Sequence, residues 1–395
     1  MARMARIEVF APNELAIVHV MNRVVRRCFL LGDDPVTGKN YDHRKVWIED
    51  QLRRFSSAFG IDLLGFAILS NHFHLILRSR PDVVATWNDT EIARRWLMLC
   101  PVRKNDEGMP EEPNKMELNT IRNDPEKVAI IRTRLSDIGW WMRCLCQNIA
   151  VRANREDKES GKFFQSRFRA VRLLDEQALL ACAAYVDLNP IRAAMAETLE
   201  TSDFTSVQRR IQSLEQAPKN TAFVEGIGSE SHPSIVSPAA SKPTRTKAAD
   251  VRNKRALAAE PVASTRDSFL SPLTLDERNG EIGAAASTNG CRCSDKGFLP
   301  MSIGDYLQLL DWTARQPVDG KPGATPTTAL PIFERLSLDP QVWCKLVGEF
   351  GRLFYNVAGV PQSIDETTSR VSQHRYNVRH RARQIFAPSD PPTPA

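Results

Sequence analysis

The chain has 395 residues, of which 42% are hydrophobic and 25% are charged, and its formal net charge is +6. No run of about 18 apolar residues is present, which excludes a membrane span, and the first residues, MARMARIEVFAPNE, lack the apolar core of a signal peptide. The eight cysteines are scattered, and Cys291-x-Cys293 has no second pair at zinc-ligand spacing. We expect reduced thiols, a cytoplasmic protein and a basic balance that fits a phosphate-bearing partner.

The first 214 residues alternate between short β-rich runs and helical patterns. In chain order, β-branched and apolar runs predict strands over 15–24, 61–69, 72–78 and 168–174. Apolar spacing predicts a helix over 46–63 after Asp42, a second that Ser136 caps and that runs to about Ala153, and a third after the N-cap Asp175. A polar insertion occupies 101–128. The order β-α-β-β-α-β-α predicts an α+β, ferredoxin-like fold, with helices on one face of a four-stranded antiparallel sheet.

The composition changes after residue 214, where we place the end of the first domain, 1–214. Residues 215–299 are rich in Ala, Ser, Pro, Thr, Lys and Gly, and they are predicted to form a disordered linker. Amphipathic patterns return in MSIGDYLQLLDWTARQ and PQVWCKLVGEFGRLFYNVAG, and they predict a small all-α C-terminal module over 300–362. Residues 363–395 are predicted to be a basic, flexible tail.

The run SNHFHLIL, residues 70–77, contains two of the seven histidines. Side chains alternate along a strand, so His72 and His74 point to one face while Phe73 and Leu75 point to the core. Imidazoles about 7 Å apart on one face can bind one metal ion through neutral ring nitrogens. The pattern also fits two half-buried histidines that only pack, and the pair alone leaves both interpretations open.

Two metal-dependent families with an H-x-H motif are excluded by the surrounding residues. A metallo-β-lactamase pattern needs an aspartate two positions after the second histidine, where this chain has Ile76. An amidohydrolase needs several further histidines, but only His19 and His43 remain before the predicted linker. A metal function for the pair therefore needs a different kind of partner.

A second group of candidate residues lies more than a hundred positions downstream, in ACAAYVDLNPIRAAMAE. Tyr185 and Asn189 are four residues apart, which places the phenol and the amide on one face of a helix. Pro190 is expected to end that helix and to leave the side-chain carbonyl of Asn189 free to bind a cation. Taken alone, Tyr185 also fits an aromatic residue that packs on the core, and Asn189 a residue that ends a helix.

Together, H-φ-H on a central strand and the later Y-x-x-x-N-P-[IV]-R-A resemble the IS200/IS605-type single-tyrosine (Y1) transposases of the HUH superfamily, and most of all their REP-associated branch. The resemblance covers about residues 10–210 and includes VHVMNRVVRRCFLL, GKFFQSRFRAV and, most specifically, YVDLNPIRA. Ser70 stands where that family often has a proline. The insertion at 101–128 is longer than expected, so the shape of a DNA groove is not determined by the resemblance.

The resemblance implies that Tyr185 is a nucleophile and that His72, His74 and Asn189 bind Mg²⁺ or Mn²⁺. These neutral ligands leave positions for phosphate oxygens, and imidazoles suit Mn²⁺ better than Mg²⁺. The implied product is a 5′-phosphotyrosine with a free 3′-OH, which allows a second strand to be joined by transesterification. The implied function is that of a metal-dependent single-stranded DNA endonuclease and strand transferase, a DNA transposase, acting on hairpin or palindromic repeat DNA.

Basic and polar residues flank both motifs. The candidate DNA contacts are Arg23, Arg26, Arg27, Lys162, Gln165, Arg167 and Arg169. Such groups can bind the phosphates of a DNA backbone, and Phe163, Phe164 or Phe168 could stack on its bases. Both contacts suit a folded single strand of DNA. We expect a cytoplasmic, nucleoid-associated protein that is a monomer or a homodimer.

Two rival functions follow from the same residues. One is a domesticated protein of the same fold that binds nucleic acid without cleaving it, and an intact set of one tyrosine, two histidines and one asparagine argues against it. The other is a replication initiator or relaxase with the same chemistry. Those proteins usually carry larger DNA-processing regions or a helicase, and the sequence shows neither.

Overall fold

The structure, a computed structural model, describes residues 9–11, 13–25, 28–106, 108–216, 265–275, 283–316 and 340–370. Its strands are β1 (Ile17–Arg23), β2 (Ile61–Ile68), β3 (His72–Ser79), β4 (Arg169–Leu173) and β5 (Val357–Ala358). Its helices are α1 (His43–Ala58), α2 (Pro81–Ala85), α3 (Asp89–Leu99), α4 (Lys115–Arg122), α5 (Pro125–Leu135), α6 (Ile138–Asp157), α7 (Glu176–Asp187), α8 (Asn189–Arg192), α9 (Ser206–Gln216), α10 (Ile303–Arg315), α11 (Pro340–Leu353) and α12 (Pro361–Arg370). None of the helices in these ranges is both long and apolar enough to cross a membrane.

The five strands form one sheet in the order β2-β3-β1-β4-β5. The four predicted strands are confirmed, and they pair antiparallel with one another. The short β5 pairs parallel with β4, so the sheet is mixed and has one strand more than the antiparallel sheet that we expected. Main-chain bonds from Arg172 to Asn356 and from Leu174 to Ala358 hold this added edge. The α+β class agrees with the prediction.

Helices cover both faces of the sheet, whereas the sequence predicted helices on one face. On the first face, Phe73 and Leu75 of β3 pack in one core with residues of α1 and α6. On the second face, Ile76 of β3 and Val171 of β4 pack with α7, α10 and α11. Every residue of β2 is buried, and a sheet whose strands are buried on both sides needs an apolar layer on each side. A polar side chain on the second face therefore lies in the interior.

The C-terminal helices are part of this fold, although we expected a separate module over 300–362. Tyr306 of α10 donates its hydroxyl to the buried carboxylate of Asp187, the last residue of α7, at 2.8 Å. Trp343 of α11 donates its indole N–H to Thr313 of α10 at 3.1 Å. The chain then enters β5 and α12, and α12 lies where the flexible tail was expected. The second face of the sheet is thus covered by residues far from it in sequence.

Two segments of the predicted linker pack against the edge of the sheet. They are residues 265–275 and 283–300. The carboxylate of Asp62 in β2 is buried, and it pairs with Arg78 at 2.8 Å and Arg80 at 3.1 Å. Ser294 donates to the same carboxylate from its main-chain N–H at 3.1 Å and from its hydroxyl at 2.8 Å. The prediction of a disordered linker is wrong for these segments. Their buried apolar residues, among them Phe269, Leu273 and Phe298, are too few for a continuous helix or strand pattern, and their polar anchors give no apolar signal. The rest of the range after α9 lies outside the described residues.

The N-cap of α6 differs by one residue from the prediction. Asp137 is the cap, and its carboxylate accepts from the N–H of Gly139 at 2.6 Å. Ser136 instead ends α5. A carboxylate at this position also interacts favourably with the positive end of the helix dipole. The predicted cap Asp175 is confirmed, since it accepts from the N–H of Ala178 at 2.8 Å.

The arrangement at Asp62 gives a stability prediction. Replacing Asp62 by Asn leaves the buried guanidinium of Arg78 without an anion and that of Arg80 with Asp82 alone, so we expect the free energy of unfolding to fall by about 3–5 kcal/mol. Asp311→Asn removes one partner of an exposed pair with Arg315 and should cost less than about 1 kcal/mol. Urea denaturation followed by circular dichroism measures both values. Equal losses in the two variants would contradict the role given to Asp62.

Candidate functional site

Strand β3 places His72 and His74 on the second face of the sheet and Phe73 on the first, as strand alternation predicts. His74 lies opposite Met21 of β1 and is 1% exposed. His72 lies opposite Arg23, near the strand end, and is half-buried. The centroids of the two imidazole rings are 4.9 Å apart.

Helix α7 carries Tyr185 onto the same face. The helix lies on β2 and β3, and its residues from Ala178 to Ala184 are all buried there. The Tyr185 ring meets the His74 ring edge-on, at a centroid distance of 5.4 Å and an angle of 88°. The structure therefore brings the tyrosine of the second motif to the histidines of the first.

A third histidine, His19 of β1, completes the group, and the sequence reasoning did not assign it a role. His19 Nε2 lies 2.9 Å from His74 Nδ1, and the two rings are within 5° of coplanar. The Tyr185 ring also packs edge-on against His19, at 5.9 Å. Alternation along β1 places His19 on this face, but only the pairing of β1 with β3 shows which histidine it meets.

The three imidazoles are neutral at physiological pH. Burial lowers the pKa of His19 to about 3, with a further contribution from the cation of Arg169. Burial, with Arg23 nearby, lowers the pKa of His72 to about 4. The pKa of His74 is lowered well below its ordinary value, chiefly by burial. Neutral imidazole is the form that binds metal ions.

The nitrogen atoms of the predicted ligand pair fit a metal ion. His74 Nε2 is buried and has no hydrogen-bond partner among the described residues. His72 Nδ1 lies 2.6 Å from Asn71 Oδ1, and since a carboxamide oxygen only accepts, the proton is on Nδ1 and Nε2 keeps its lone pair. The described residues contain no group of three His, Cys, Asp or Glu side chains that could hold a metal ion. Two imidazoles would therefore need an amide, water or substrate oxygen to complete the coordination.

Asn189, the predicted third ligand, lies just after α7. After Leu188 the chain turns into the short helix α8, so Pro190 stands in the first turn of a new helix and does not end the helical path. The amide nitrogen of Asn189 donates to the main-chain oxygen of Tyr185 at 3.1 Å. Among the described residues, no hydrogen bond joins Asn189 to either histidine. Its role as a ligand stays a prediction.

Helix α11 covers the Tyr185 phenol. The ring of Phe350 stacks on it at a centroid distance of 5.6 Å, and a Cβ atom on Gly351 would lie 3.1 Å from the phenol oxygen. The space between these residues and the histidines, about 20 Å³, is of the size that holds about one water molecule. Burial raises the pKa of Tyr185, and the Asn189 amide and two nearby arginines only partly oppose this rise. The phenol is thus protonated and closed off from substrate.

The two arginines beside the phenol bind the carboxyl-terminal half of α11. Arg169 donates to the main-chain oxygen of Gly351 at 3.0 Å and also to that of Phe354. Arg192 donates to the main-chain oxygen of Val347 at 2.6 Å. Arg169 was predicted as a DNA contact, whereas the sequence reasoning did not single out Arg192. Both guanidinium groups thus donate to carbonyl oxygens at this end of α11.

The remaining predicted DNA contacts fall into two groups. Lys162, Gln165 and Arg167 are exposed in the segment that leads into β4. Arg23 is half-buried beside His72, and its Nε atom is buried without a hydrogen-bond partner among the described residues. The positions 26 and 27, the other two predicted arginines, lie outside the described residues.

The aromatic residues expected near bases are in the core instead. Phe163, Phe164 and Phe168 are 3%, 9% and 7% exposed, because they fill the end of the first-face core, where Phe164 meets Phe73 edge-on at 5.9 Å. An open groove of about 550 Å³ runs beside them. Its lining includes Trp140 and Arg143 of α6 together with Arg167. The sequence did not predict this groove.

No protein-family model and no curated protein sequence matches the chain. Among solved structures, that of a REP-associated tyrosine transposase bound to a REP hairpin is similar to it, with a TM-score of 0.30 and 11% sequence identity. The similarity covers 58% of this chain and 100% of that chain. These values assign neither a family nor a function, so the function is argued from the side chains of the site.

The contact between α11 and the phenol gives a prediction that needs no assumption about function. In Gly351→Val the new side chain meets the Tyr185 hydroxyl, so the end of α11 must move away, at a cost of about 1–3 kcal/mol for overpacking. Acetylation of Tyr185 by N-acetylimidazole, followed by mass spectrometry, should become faster.

The matched control is Gly348→Val, one turn earlier on the same helix, where a Cβ atom meets nothing within 4 Å. The change in helix propensity is the same at both positions. Acetylation of Tyr185 in Gly348→Val should equal that of the wild type. An unchanged rate in Gly351→Val would show that α11 does not shield the phenol.

Proposed function

We propose that the chain is a metal-dependent single-stranded DNA endonuclease and strand transferase that uses Tyr185 as its nucleophile. The observation that carries the proposal is the contact between Tyr185 and His74, whose Nε2 is buried without a hydrogen-bond partner in the described residues. A phenol beside a bare imidazole nitrogen has no evident purpose in packing, since an unpaired buried polar atom is unfavourable. This arrangement suits a site that binds a metal ion and a phosphate group.

The proposed reaction is a transesterification at phosphorus. The Tyr185 oxygen forms the new bond to the phosphate, the bond to the 3′ oxygen breaks, and that oxygen leaves as a 3′-OH after taking up a proton. The product is a 5′-phosphotyrosine, and the reverse step with another 3′-OH joins a second strand. A divalent cation held by His72, His74 and Asn189, Mg²⁺ or Mn²⁺, would supply charge to polarise the phosphate.

The residues of the chain have defined tasks in this proposal. His72 and His74 offer neutral nitrogen ligands whose orientation is set by hydrogen bonds at their other ring nitrogens. Arg169 and Arg192 lie beside the phenol and would offset the negative charge of the phosphate. Because burial raises the pKa of Tyr185, the phenol becomes a nucleophile only when nearby positive charge stabilises its anion.

Reaction requires the carboxyl-terminal end of α11 to leave the phenol, since the enclosed space of about 20 Å³ cannot hold a phosphate group. In the open site, Arg169 and Arg192 would exchange the carbonyl oxygens of α11 for phosphate oxygens. This exchange keeps both guanidinium groups paired with oxygen acceptors in both states. The substrate itself would thus compete with α11 for the same donors.

A single strand of DNA would approach along exposed Lys162, Gln165 and Arg167, which follow one another just before β4. The groove next to this row is lined by Trp140 and Arg143. The guanidinium carbons of Arg134 and Arg143 lie 4.4 and 4.8 Å from the centre of the Trp140 ring, so a base that stacks on the ring would displace one of them. Bases of unpaired DNA stack on aromatic residues without regard to sequence. A hairpin or palindromic repeat that presents an unpaired flank is the substrate that we propose.

The closed site also favours a second candidate, a protein that binds nucleic acid without cleaving it. In that case α11 would stay on Tyr185 while DNA lies on the exposed basic row. The two candidates share their DNA surface and differ only in whether Tyr185 forms a covalent bond.

Formation of a covalent adduct tests the nuclease proposal. The wild type, incubated with Mn²⁺ or Mg²⁺ and a hairpin oligonucleotide labelled at its 3′ end, should yield a labelled protein band, because a 5′-phosphotyrosine retains the fragment on the 3′ side of the cut. The adduct should be lost in Tyr185→Phe and on addition of EDTA. The Gly351→Val variant should form it faster, since its phenol is uncovered.

Tyr355→Phe is the matched control, because Tyr355 is a second phenol whose ring lies 5.7 Å from the Arg169 guanidinium carbon. It should react as the wild type does. An adduct in Tyr185→Phe, or none with any repeat in the wild type and in Gly351→Val, would exclude the nuclease and favour the non-cleaving protein.

The exposed basic row gives a prediction for binding. Lys162→Gln and Arg167→Gln should each weaken binding of single-stranded DNA, and each lost phosphate contact should reduce the slope of log K against log salt by about 0.7. Fluorescence anisotropy in the Tyr185→Phe background measures binding without cleavage. Lys115→Gln on α4 removes the same charge away from the site and should change neither quantity; an equal effect there would show that only net charge matters.

A further inference from the structure

The hydrogen bond between His19 and His74 joins two imidazoles inside the second face of the sheet. His19 is 5% and His74 1% exposed, and His19 Nε2 lies 2.9 Å from His74 Nδ1. The near coplanarity of the rings, within 5°, aligns the proton with the accepting lone pair. The bond is therefore a specific contact between two strands and not a chance proximity.

One proton is shared in this bond, and two tautomer arrangements are possible. If His19 donates, His74 must carry its own proton on Nε2, and the described residues offer that N–H no acceptor. If His74 donates from Nδ1, its Nε2 is a bare lone pair instead, and His19 carries its own proton on Nδ1, which is not among the buried atoms of the described residues that lack a partner. A buried N–H without an acceptor is rarer in folded proteins than an unused acceptor, so the second arrangement is the better one. It is also the arrangement in which Nε2 can bind a cation.

His72, the other predicted ligand, also has its Nδ1 atom in a hydrogen bond, but with a different partner. His72 Nδ1 is held by Asn71 Oδ1 at 2.6 Å, which leaves Nε2 unprotonated. Both histidines of the pair thus have Nδ1 anchored and Nε2 available. Metal-binding histidines commonly donate their second ring N–H in this way, which fixes the tautomer and the ring orientation.

Neighbouring rings hold His19 in place. Tyr185 packs on it at 5.9 Å and Phe350 at 6.1 Å, both edge-on. His19 lies opposite Ile76 in the β1–β3 register, one step along the same face from the Met21–His74 pair. The pairing of β1 with β3 is therefore enough to bring the two imidazoles to hydrogen-bonding distance.

We propose that His19 is a positioning residue that accepts the Nδ1 proton of His74 and so holds Nε2 of His74 as a bare ligand for the divalent cation. The part concerning the cation rests on the proposed function, whereas the part concerning the tautomer does not. His19 itself touches neither the cation nor the substrate in this assignment. It acts through His74.

Two substitutions separate this role from simple packing. His19→Phe keeps an aromatic ring of similar size and removes the acceptor. His19→Gln keeps an acceptor oxygen near the place of Nε2 and loses the ring. A packing role predicts that Phe is the better replacement, and a positioning role predicts that Gln is.

The first measurement is the tautomer of His74 in the metal-free full chain labelled with ¹⁵N-histidine, read from long-range ¹H–¹⁵N spectra and assigned with His74→Gln. The wild type and His19→Gln should carry the proton on Nδ1, and His19→Phe should move part or all of it to Nε2. A wild-type proton on Nε2, or no change in His19→Phe, would overturn the proposal. The wild-type spectrum decides the first point even if a variant fails to fold.

The second measurement is the affinity for Mn²⁺, determined by equilibrium dialysis of the full chain without DNA. We expect a loss of about 10–100-fold in His19→Phe and a smaller loss in His19→Gln. Equal affinities in the wild type and His19→Phe would overturn the positioning role toward the cation. If the wild type binds no Mn²⁺, the proposed function fails, while the spectra still decide whether His19 sets the tautomer of His74.

Discussion

The hydrogen bond between His19 and His74 is the polar contact around which the second face of the sheet is organised. Burial makes both imidazoles neutral, and a neutral buried ring still needs a partner for each polar atom, at a cost of about 1–3 kcal/mol for one that lacks it. The β1–β3 pairing supplies one partner to each ring. Two ring nitrogens lie outside this bond, and one of them, His74 Nε2, is buried without a partner among the described residues. An imidazole nitrogen with a free lone pair is a common metal ligand.

The closure of the site by α11 follows from the groups that would bind the substrate. Arg169 and Arg192 lie beside the half-buried Tyr185, and the part of each guanidinium group that faces the protein requires acceptors. The carbonyl oxygens at the carboxyl-terminal end of α11 provide them, and the negative end of the helix dipole adds to the attraction. The place that a phosphate group would take in the proposed function is therefore one that a helix terminus of the same chain can occupy.

The sequence predicts those features of the fold and the site that depend on local periodicity. Strand alternation places His72 and His74 on one face, and β-branched runs mark the four main strands. The partnership of His19 with His74 depends on the register between strands, which has no local signal. The packing of 283–300 escapes prediction because it depends on Asp62, whose carboxylate looks like an ordinary polar position until its partners are known. The residues of α11 that cover the second face lie about 170 positions from Tyr185. A local pattern of period 2 or 3.6 cannot predict a contact over that distance.

Opening of the site need not unfold the C-terminal helices. The hydrogen bonds from Tyr306 to Asp187 and from Trp343 to Thr313 hold α10 and the first turn of α11 in place. Neither bond involves the phenol of Tyr185. The contacts that block Tyr185 come from the last two turns of α11, around Phe350 and Gly351. DNA can shift the equilibrium only by the difference between its affinities for the open and closed states. In the proposed function the two arginines are paired in both states, so that difference must come from phosphate and base contacts outside the arginine pair. The exposed row before β4 would then contribute to opening of the site as well as to binding.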